Sequence, residues 1–463
     1  MKLLPEAQTS PTSRIRRWDA VILGSSLPGL VAAARLGMQG GRVLVLEEKA
    51  AGALPDCLRE PWWTGGVSKG SVLGACLREL RVPLIDQRRI EPDPLAFQVV
   101  LPDARIDVGE PSLSVDEWVA WGLAKPDEAR ALAGAMLDAA DAEGKALAEA
   151  PVVRGSRFSG RGGARDSGPE RALAAKLAEA PPRVATLLEA QVRALSNLGA
   201  SQPSDGARAW LLGAPFAGGA SIRGDDSLRS VLRRRIEALY GEIRTLPDTF
   251  RLVSAGGQPG IAPDNAGESG EVWVGRAFLI NAPRAALASA VAQEPPECLE
   301  VPAPTHRRVN MHWQVPREAL PEAMASRVVI VGEAPLDGTR LVRVRRFGGS
   351  NGAPFDLVAG AVLPVDEADR KGWEQRIEQR VRGLLPFAGP RLVRVPAPTP
   401  RWDDDTWLAD PAPDAAWPAP AELRISSRQP IYSLERACVA GLGFEGDLLL
   451  GWRGGDAIAS DLG

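Results

Sequence analysis

The chain has 463 residues, too many for one compact core, so two domains of ordinary size are expected. Apolar residues make up 45% and charged residues 24%, the balance of a folded globular chain. A net charge of -3, from 55 basic against 58 acidic residues, excludes the strongly basic surface that a nucleic-acid partner requires.

The segment Met1 to Arg17 has no apolar centre followed by a cleavage site, and reads as a flexible polar lead, not a signal peptide. Trp18 to Leu23 (WDAVIL) is an apolar run ending at Gly24-Ser25-Ser26, the pattern of a buried parallel strand. Leu27 to Met38 is Ala- and Leu-rich and helical, with Pro28 suited to a first turn. Gly40 and Gly41 break it, and Arg42 to Leu46 is a second strand, completing a βαβ unit. Helical spacing returns at Leu73 to Leu80. Short strands are expected at Phe97 to Leu101 and Arg105 to Val108, around the turn at Pro102 and Asp103; Asp103 and Arg105 read as surface residues.

From Val115 to Leu198 the spacing is helical, apart from the Gly/Arg/Ser-rich stretch Gly155 to Gly168, read as a solvated loop. Asp226 to Tyr240 is a helix with Leu228, Val231, Leu232, Ile236 and Leu239 on one face. One or two strands occupy Glu242 to Val253, and another spans Glu271 to Ile280, closed by Asn281-Ala282-Pro283. Val309 to Val315 alternates as a half-exposed antiparallel strand. Strands continue at Val328 to Val331, Leu341 to Arg345 and Leu357 to Val362, and Trp373 to Leu385 is a helix. Residues 395 to 420 are Pro- and Trp-rich and irregular, and Ala440 to Gly463 is a Gly-rich turn leading into a helix. This order fits an α/β nucleotide domain assembled from separated segments, 18–110, 216–300 and 421–463. A mixed α+β second domain, helical over 111–215 and strand-rich over 301–420, interrupts it.

Gly24-Ser25-Ser26-Leu27-Pro28-Gly29 stands where a dinucleotide site carries G-x-G-x-x-G. There the glycines allow a tight turn, backbone approach to the diphosphate and helix–strand packing, and the helix amides face the phosphates. Ser26 takes the second glycine's place, and its hydroxyl is a candidate phosphate donor. Glu47, with Glu48 beside it, ends the second strand, where a carboxylate holds a ribose diol and disfavours a 2′-phosphate.

The runs Asp19 to Leu36 and Gly41 to Glu47 resemble the opening of the FAD-dependent oxidoreductases of the phytoene desaturase and amine oxidase superfamily. Ala440 to Gly451 resembles that family's closing motif. The resemblance implies a Rossmann-like FAD-binding domain with a separate substrate domain. It implies FAD held by Gly24, Ser25, Ser26, Leu27, Gly29, Glu47 and Glu48 at one end, and by Gly443, Phe444, Glu445 and Gly446 at the ring end. It also implies adenine contact by backbone near Phe250. Between Ala50 and Pro55, where family members often carry Gly-Gly-Arg, this chain has no arginine. The chemistry implied is hydride transfer from a hydrophobic, carotenoid- or isoprenoid-like molecule to flavin. The GDP-dissociation inhibitors share this fold without redox activity, so a non-catalytic binding protein is a second reading, and a NAD-dependent dehydrogenase a third.

No catalytic acid or base stands out. His312 lies opposite the apolar face of its strand and reads as hydrogen-bonded or solvated. Trp62, Trp63, Trp118, Trp121, Trp210 and Trp313 are candidates for core packing or for lining an apolar cavity. Cys57, Cys76, Cys298 and Cys438 have neither zinc-site nor CxxC spacing, and with two histidines no metal centre is expected. The thiols read as buried or half-buried in a reducing compartment. No apolar run reaches the ~18 residues of a membrane span, so a cytoplasmic location is expected, with a peripheral membrane contact left open.

Overall fold

The computed structural model describes residues 4–7, 14–49, 56–67, 71–149, 153–154, 168–223, 226–263, 270–300, 304–333, 336, 340–349, 353–366, 369–396, 407–410 and 421–463. Most of the Gly155 to Gly168 stretch, the Ala50 to Pro55 segment and most of 395–420 lie outside them.

The elements that frame the site begin with β1 (Arg14–Leu23), α1 (Leu27–Met38) and β2 (Val43–Glu48). There follow α2 (Val72–Glu79), β3 (Leu95–Val100), β4 (Arg105–Gly109), α3 (Pro126–Glu149), α4 (Pro182–Leu195) and α5 (Asp205–Gly213). Next come α6 (Leu228–Ala238), β5 (Glu242–Leu246), β6 (Phe250–Ala255), β7 (Gln258–Pro263) and β8 (Glu271–Ile280). The second half contributes β9 (His306–Val315), β10 (Arg327–Val331), β11 (Leu341–Gly348), β12 (Phe355–Pro364), α7 (Arg370–Leu384), β13 (Val393–Val395), β14 (Ile431–Ser433) and α8 (Gly443–Leu462).

The first sheet has the order β5-β2-β1-β8-β7-β6, with β14 also on β8. Its β5, β2, β1, β8 and β14 run parallel, and β7 and β6 continue it as an antiparallel meander. The continuous apolar run of β1 follows from its central position, because a parallel strand with neighbours on both sides is covered on both faces. On one face α1, α6 and α8 bury Leu30, Val31, Val231, Leu232, Leu448 and Leu450. On the other, Leu23, Leu44 and Leu46 pack against Leu246, Phe250 and Leu252.

The second sheet has the order β13-β9-β12-β11-β10-β3-β4. The α7 residues Ile377 and Val381 cover one of its faces, over Trp313, Val342, Val344 and Leu357. The helices α3, α4 and α5 share a core with Phe97, Val99 and Val329. The strands around Pro102, expected within the first nucleotide-binding segment, therefore join the second sheet through the parallel pairing of β3 with β10. The expected flexible lead also differs at its described residues. Leu4 is buried, and Pro5 and Ala7 hydrogen-bond to Ser254.

The run Glu242 to Val253 resolves into β5 and β6, on opposite edges of the main strand order. His312 hydrogen-bonds to Asp356 at 2.8 Å, and Asp103 forms a surface ion pair with Arg183, as their positions suggested. Cys76 and Cys298 are buried and Cys438 half-buried, all as free thiols. The side chain of Cys57 lies outside the described set. Among the described residues no helix is long and apolar enough to cross a membrane.

Candidate functional site: two helix mouths on one sheet

The turn from β1 into α1 is built by close approach. Gly24 has φ +108°, and a Cβ there would stand 2.3 Å from the Asn281 carbonyl oxygen. A Cβ on Gly29 would stand 1.9 Å from Asn281 Nδ2. Asn281, fully buried at the end of β8, donates from Nδ2 to the carbonyls of Gly24 and Ser26 at 3.3 and 3.2 Å. Ser26 Oγ donates back to the Asn281 carbonyl at 2.9 Å. The Ser26 hydroxyl, expected as a phosphate donor, is thus committed to bracing the turn. Both motif glycines are required here by Asn281, which the sequence marked only as the end of a strand.

Glu47 is buried at the end of β2 and does not face solvent as a free carboxylate. It accepts from Ser25 Oγ at 2.8 Å and from Arg59 Nη1 at 2.6 Å. Arg233 donates to both of its oxygens at 3.0–3.1 Å. Burial alone would raise its pKa, but Arg59 and Arg233, with the Ser25 bond, more than offset this and hold it below the usual carboxylate range. Glu48, next in the strand, points to the other face and is half-buried.

Arg229, 1% exposed, spans the same mouth, with Nη1 donating to the Ser25 carbonyl at 2.5 Å and Nε to the Arg59 carbonyl at 3.3 Å. Its backbone N–H donates to Glu60 Oε1 at 3.1 Å. Three guanidinium groups and two carboxyls therefore converge where α1 begins, and α1 has no side-chain cap. The helix dipole and the cationic side chains give this mouth the character of an anion site.

Sequence reasoning did not find Arg59, Arg229, Arg233, Glu60 or Asn281. Arg229 and Arg233 were within reach of it, being four apart on one face of the helix predicted over Asp226 to Tyr240. Arg59, a few residues beyond Ala50 to Pro55, stands beside Glu47.

The second mouth belongs to α8. A Cβ at Gly451 would stand 2.4 Å from the Pro28 carbonyl oxygen, and one at Gly455 would stand 2.9 Å from Arg35 Cβ and 3.3 Å from Ala32 Cα. The helices α1 and α8 thus run side by side in the same direction at very close range. From Gly443 to Gly451 is about two turns, so the α8 mouth lies roughly 12 Å beyond that of α1. Gly443 has φ +58°, and a Cβ there would meet the Leu195 carbonyl oxygen at 2.0 Å. A Cβ at Gly446 would stand 2.4 Å from the Val439 carbonyl oxygen.

Phe444 meets Trp63 edge-on, with ring centroids 6.5 Å apart. Glu445 is buried, and its Oε2 accepts from Trp210 Nε1 at 2.8 Å. Burial pushes its carboxyl up to about 7, with the Trp210 bond opposing the rise. Two residues on, Asp447 forms a buried ion pair with Arg436 at 2.7 Å. Trp62 and Trp63 therefore line a hollow, Trp118 and Trp313 are core, Trp210 holds Glu445, and Trp121 is exposed.

Phe250 does not join this site. The strand beside β2 is β5; Phe250 lies on β6, its side chain in the core and its carbonyl accepting from the Ala292 amide. The turn at Pro247 and Asp248 separates the two strands. Gly24, Ser25, Ser26, Leu27, Gly29 and Glu47 gather at the first mouth, and Gly443, Phe444, Glu445 and Gly446 at the second. Among the described residues no group of three or more His, Cys, Asp or Glu is placed to hold a metal ion.

No family model matches the chain, and no curated protein matches it. Solved structures do. An oxidoreductase from Methanosarcina mazei superposes with TM-score 0.55 and 15% identity, over 94% of this chain and 99% of that one. A cofactor-binding redesign of putrescine oxidase gives TM-score 0.55 and 15% identity, over 96% and 100% of the two chains. Wild-type putrescine oxidase bound to putrescine gives 0.53 and 13%, over 96% and 100%. The fold expected from the sequence resemblance is the fold found: this chain is built as these oxidoreductases are.

Proposed function

We propose that the chain is an FAD-dependent oxidoreductase acting on a hydrophobic small molecule. The observation that carries this reading is the pair of parallel helices, α1 and α8, whose mouths are staggered by roughly 12 Å on one side of a parallel sheet. One mouth is cationic and the other aromatic, which suits a ligand with a diphosphate at one place and a flat ring further along. The fold shared with oxidoreductases over nearly the whole chain supports the same reading.

The α1 amides, with Arg229 and Arg59, would hold the diphosphate. Glu47 would hold the ribose by exchanging one of its arginine bonds for a hydroxyl, since both of its oxygens are already engaged. Phe444 and the first turn of α8 would flank the ring. When bound, FAD supplies the hydride acceptor. The protein's part is to exclude water with Trp62, Trp63 and Phe444, and to fix the substrate body against the ring. A carotenoid- or isoprenoid-like chain belongs to the apolar class that such a surface accepts.

Purified protein should be yellow, with absorbance near ~450 nm. Glu47→Ala should weaken FAD by about 1.5–3 kcal/mol, read by calorimetric titration. Colourless protein that takes up no added FAD would overturn the proposal and favour the non-catalytic binding reading, for which the prior engagement of Ser26 and Glu47 is the supporting observation.

A further inference from the structure

Two small hollows lie beside the site. One is lined by Glu60, Trp62, Asn310, Arg343, Arg345 and Phe347, the other by Trp62, Trp63, Leu195, Arg343 and Phe444 among others. The first collects polar groups from three directions: Glu60 from the segment after β2, Asn310 from β9, and Arg343 and Arg345 from the same face of β11. Glu60 is 5% exposed, and its Oε2 has no hydrogen-bond partner among the described residues. The second hollow reaches Phe444 at the α8 mouth. Trp62 and Arg343 line both hollows, and the Arg343 guanidinium lies over the Trp62 ring at 5.5 Å. These two side chains are thus a partition. As it stands the first hollow holds about one water. A ligand longer than that must push Trp62 aside and join the two.

We propose that the joined hollows are the substrate site, and that the substrate is an apolar or aromatic molecule ending in a carboxylate. The acid group sits between Arg345, Arg343 and Glu60, and the body runs past Trp62 to the α8 mouth. This rests on the flavin reading for the site of oxidation. A guanidinium matches a carboxylate with paired N–H donors, a geometry an ammonium ligand cannot use. Among the described residues, Glu60 turns an Oε2 without a hydrogen-bond partner to this hollow, and two carboxyls can meet there only by sharing a proton. Burial pushes its pKa up, against the opposing pull of Arg345 and Arg229. The charged groups facing it are Arg229 from α6 and Arg343 and Arg345 from β11; its chain neighbour Arg59 is turned to Glu47. Binding a carboxylate beside Glu60 should therefore retain a proton, and affinity should fall as pH rises.

The test uses the full chain as purified and three probes of one shape, 4-phenylbutyrate, 4-phenylbutyramide and 4-phenylbutylamine, titrated by calorimetry. The acid should bind saturably, the amide at least tenfold more weakly and the amine not at all. Arg345→Gln should cost at least tenfold for the acid alone, and Arg345→Lys should restore part of it, with both variants checked for an unchanged melting transition. Glu60→Gln should keep the acid's affinity and flatten its pH dependence, which a packing role for Glu60 would not do. Preference for the amine, or no binding of the acid by yellow protein, overturns this proposal and leaves the flavin reading intact. Binding of the acid by protein that takes up no flavin supports the anion site and removes the flavin reading instead.

Discussion

The two helix mouths use the same backbone device in opposite surroundings. Each begins at a glycine-rich turn and lacks a side-chain cap. Around α1 the neighbours are Arg59, Arg229, Arg233, Glu47 and Ser25. Around α8 they are Trp63, Trp210 and Phe444, with two carboxyls: Asp447, paired with Arg436, and Glu445, which Trp210 bonds without an arginine. The difference shows in the carboxyls. Glu47 and Glu445 are both buried, yet Glu47 is held below the usual range by its arginines, while burial lifts Glu445 to about 7. A helix dipole does not settle the protonation of a buried acid; the side chains brought to it do.

That contrast can be attacked at its geometry first. Gly24→Ala adds a Cβ against the Asn281 carbonyl at a positive φ, and should cost roughly 4 kcal/mol or abolish folding. Gly40→Ala, also at positive φ but with nothing within 4 Å, should cost only about 1 kcal/mol in the same urea titration. Equal losses would show that Asn281 yields, and that the turn is not what fixes the first mouth.

Glu47→Ala removes the anion that Arg59 and Arg233 share. Breaking a buried pair costs about 3–5 kcal/mol, and the 27% exposure of the Arg233 side chain argues for the lower end. A melting temperature unchanged from the parent would mean that water satisfies both arginines.

Glu445 predicts a pH dependence of definite sign. Its folded pKa, about 7, lies above the ordinary 4.5, so the native state binds the extra proton. Stability is therefore greatest below pH 4.5 from this group, and falls as pH rises through 7, by about 3 kcal/mol in all. Glu445→Gln should remove that slope, so that the variant gains on the parent between pH 5 and 8 in denaturant titrations. A parallel pair of pH profiles would sink the assignment. The smallest effect belongs to Trp210→Phe, which deletes the indole donor to Glu445. It should cost about 1–2 kcal/mol at pH 8, and less at pH 5, where the carboxyl is neutral.

Local pattern made the frame of the site readable. The β1–α1–β2 unit, the α6 face and the alternation of β9 are each set by residues near in sequence. Partnership across the chain was not readable. The strand β3 pairs with β10, and Leu4 to Ala7 lean on Ser254, through contacts that no periodicity encodes. The run Glu242 to Val253 was legible as one or two strands, but not that a proline turn sends its two halves to opposite edges of the strand order. The charged cluster was hidden for the same reason. Glu47, Arg59 and Arg233 are ordinary residues until the fold sets them within 3 Å.

The glycine seam between α1 and α8 also constrains how the molecule comes into being. During synthesis, β1, α1 and β2 leave the ribosome long before Gly451 and Gly455 exist to cover Pro28, Val31 and Ala32. Until then an apolar helix face stands bare, open to chaperones or to wrong partners. Contacts between such distant parts of a chain also form slowly. A nascent chain stalled before Gly443 should therefore be protease-sensitive at α1, and gain protection once α8 has emerged.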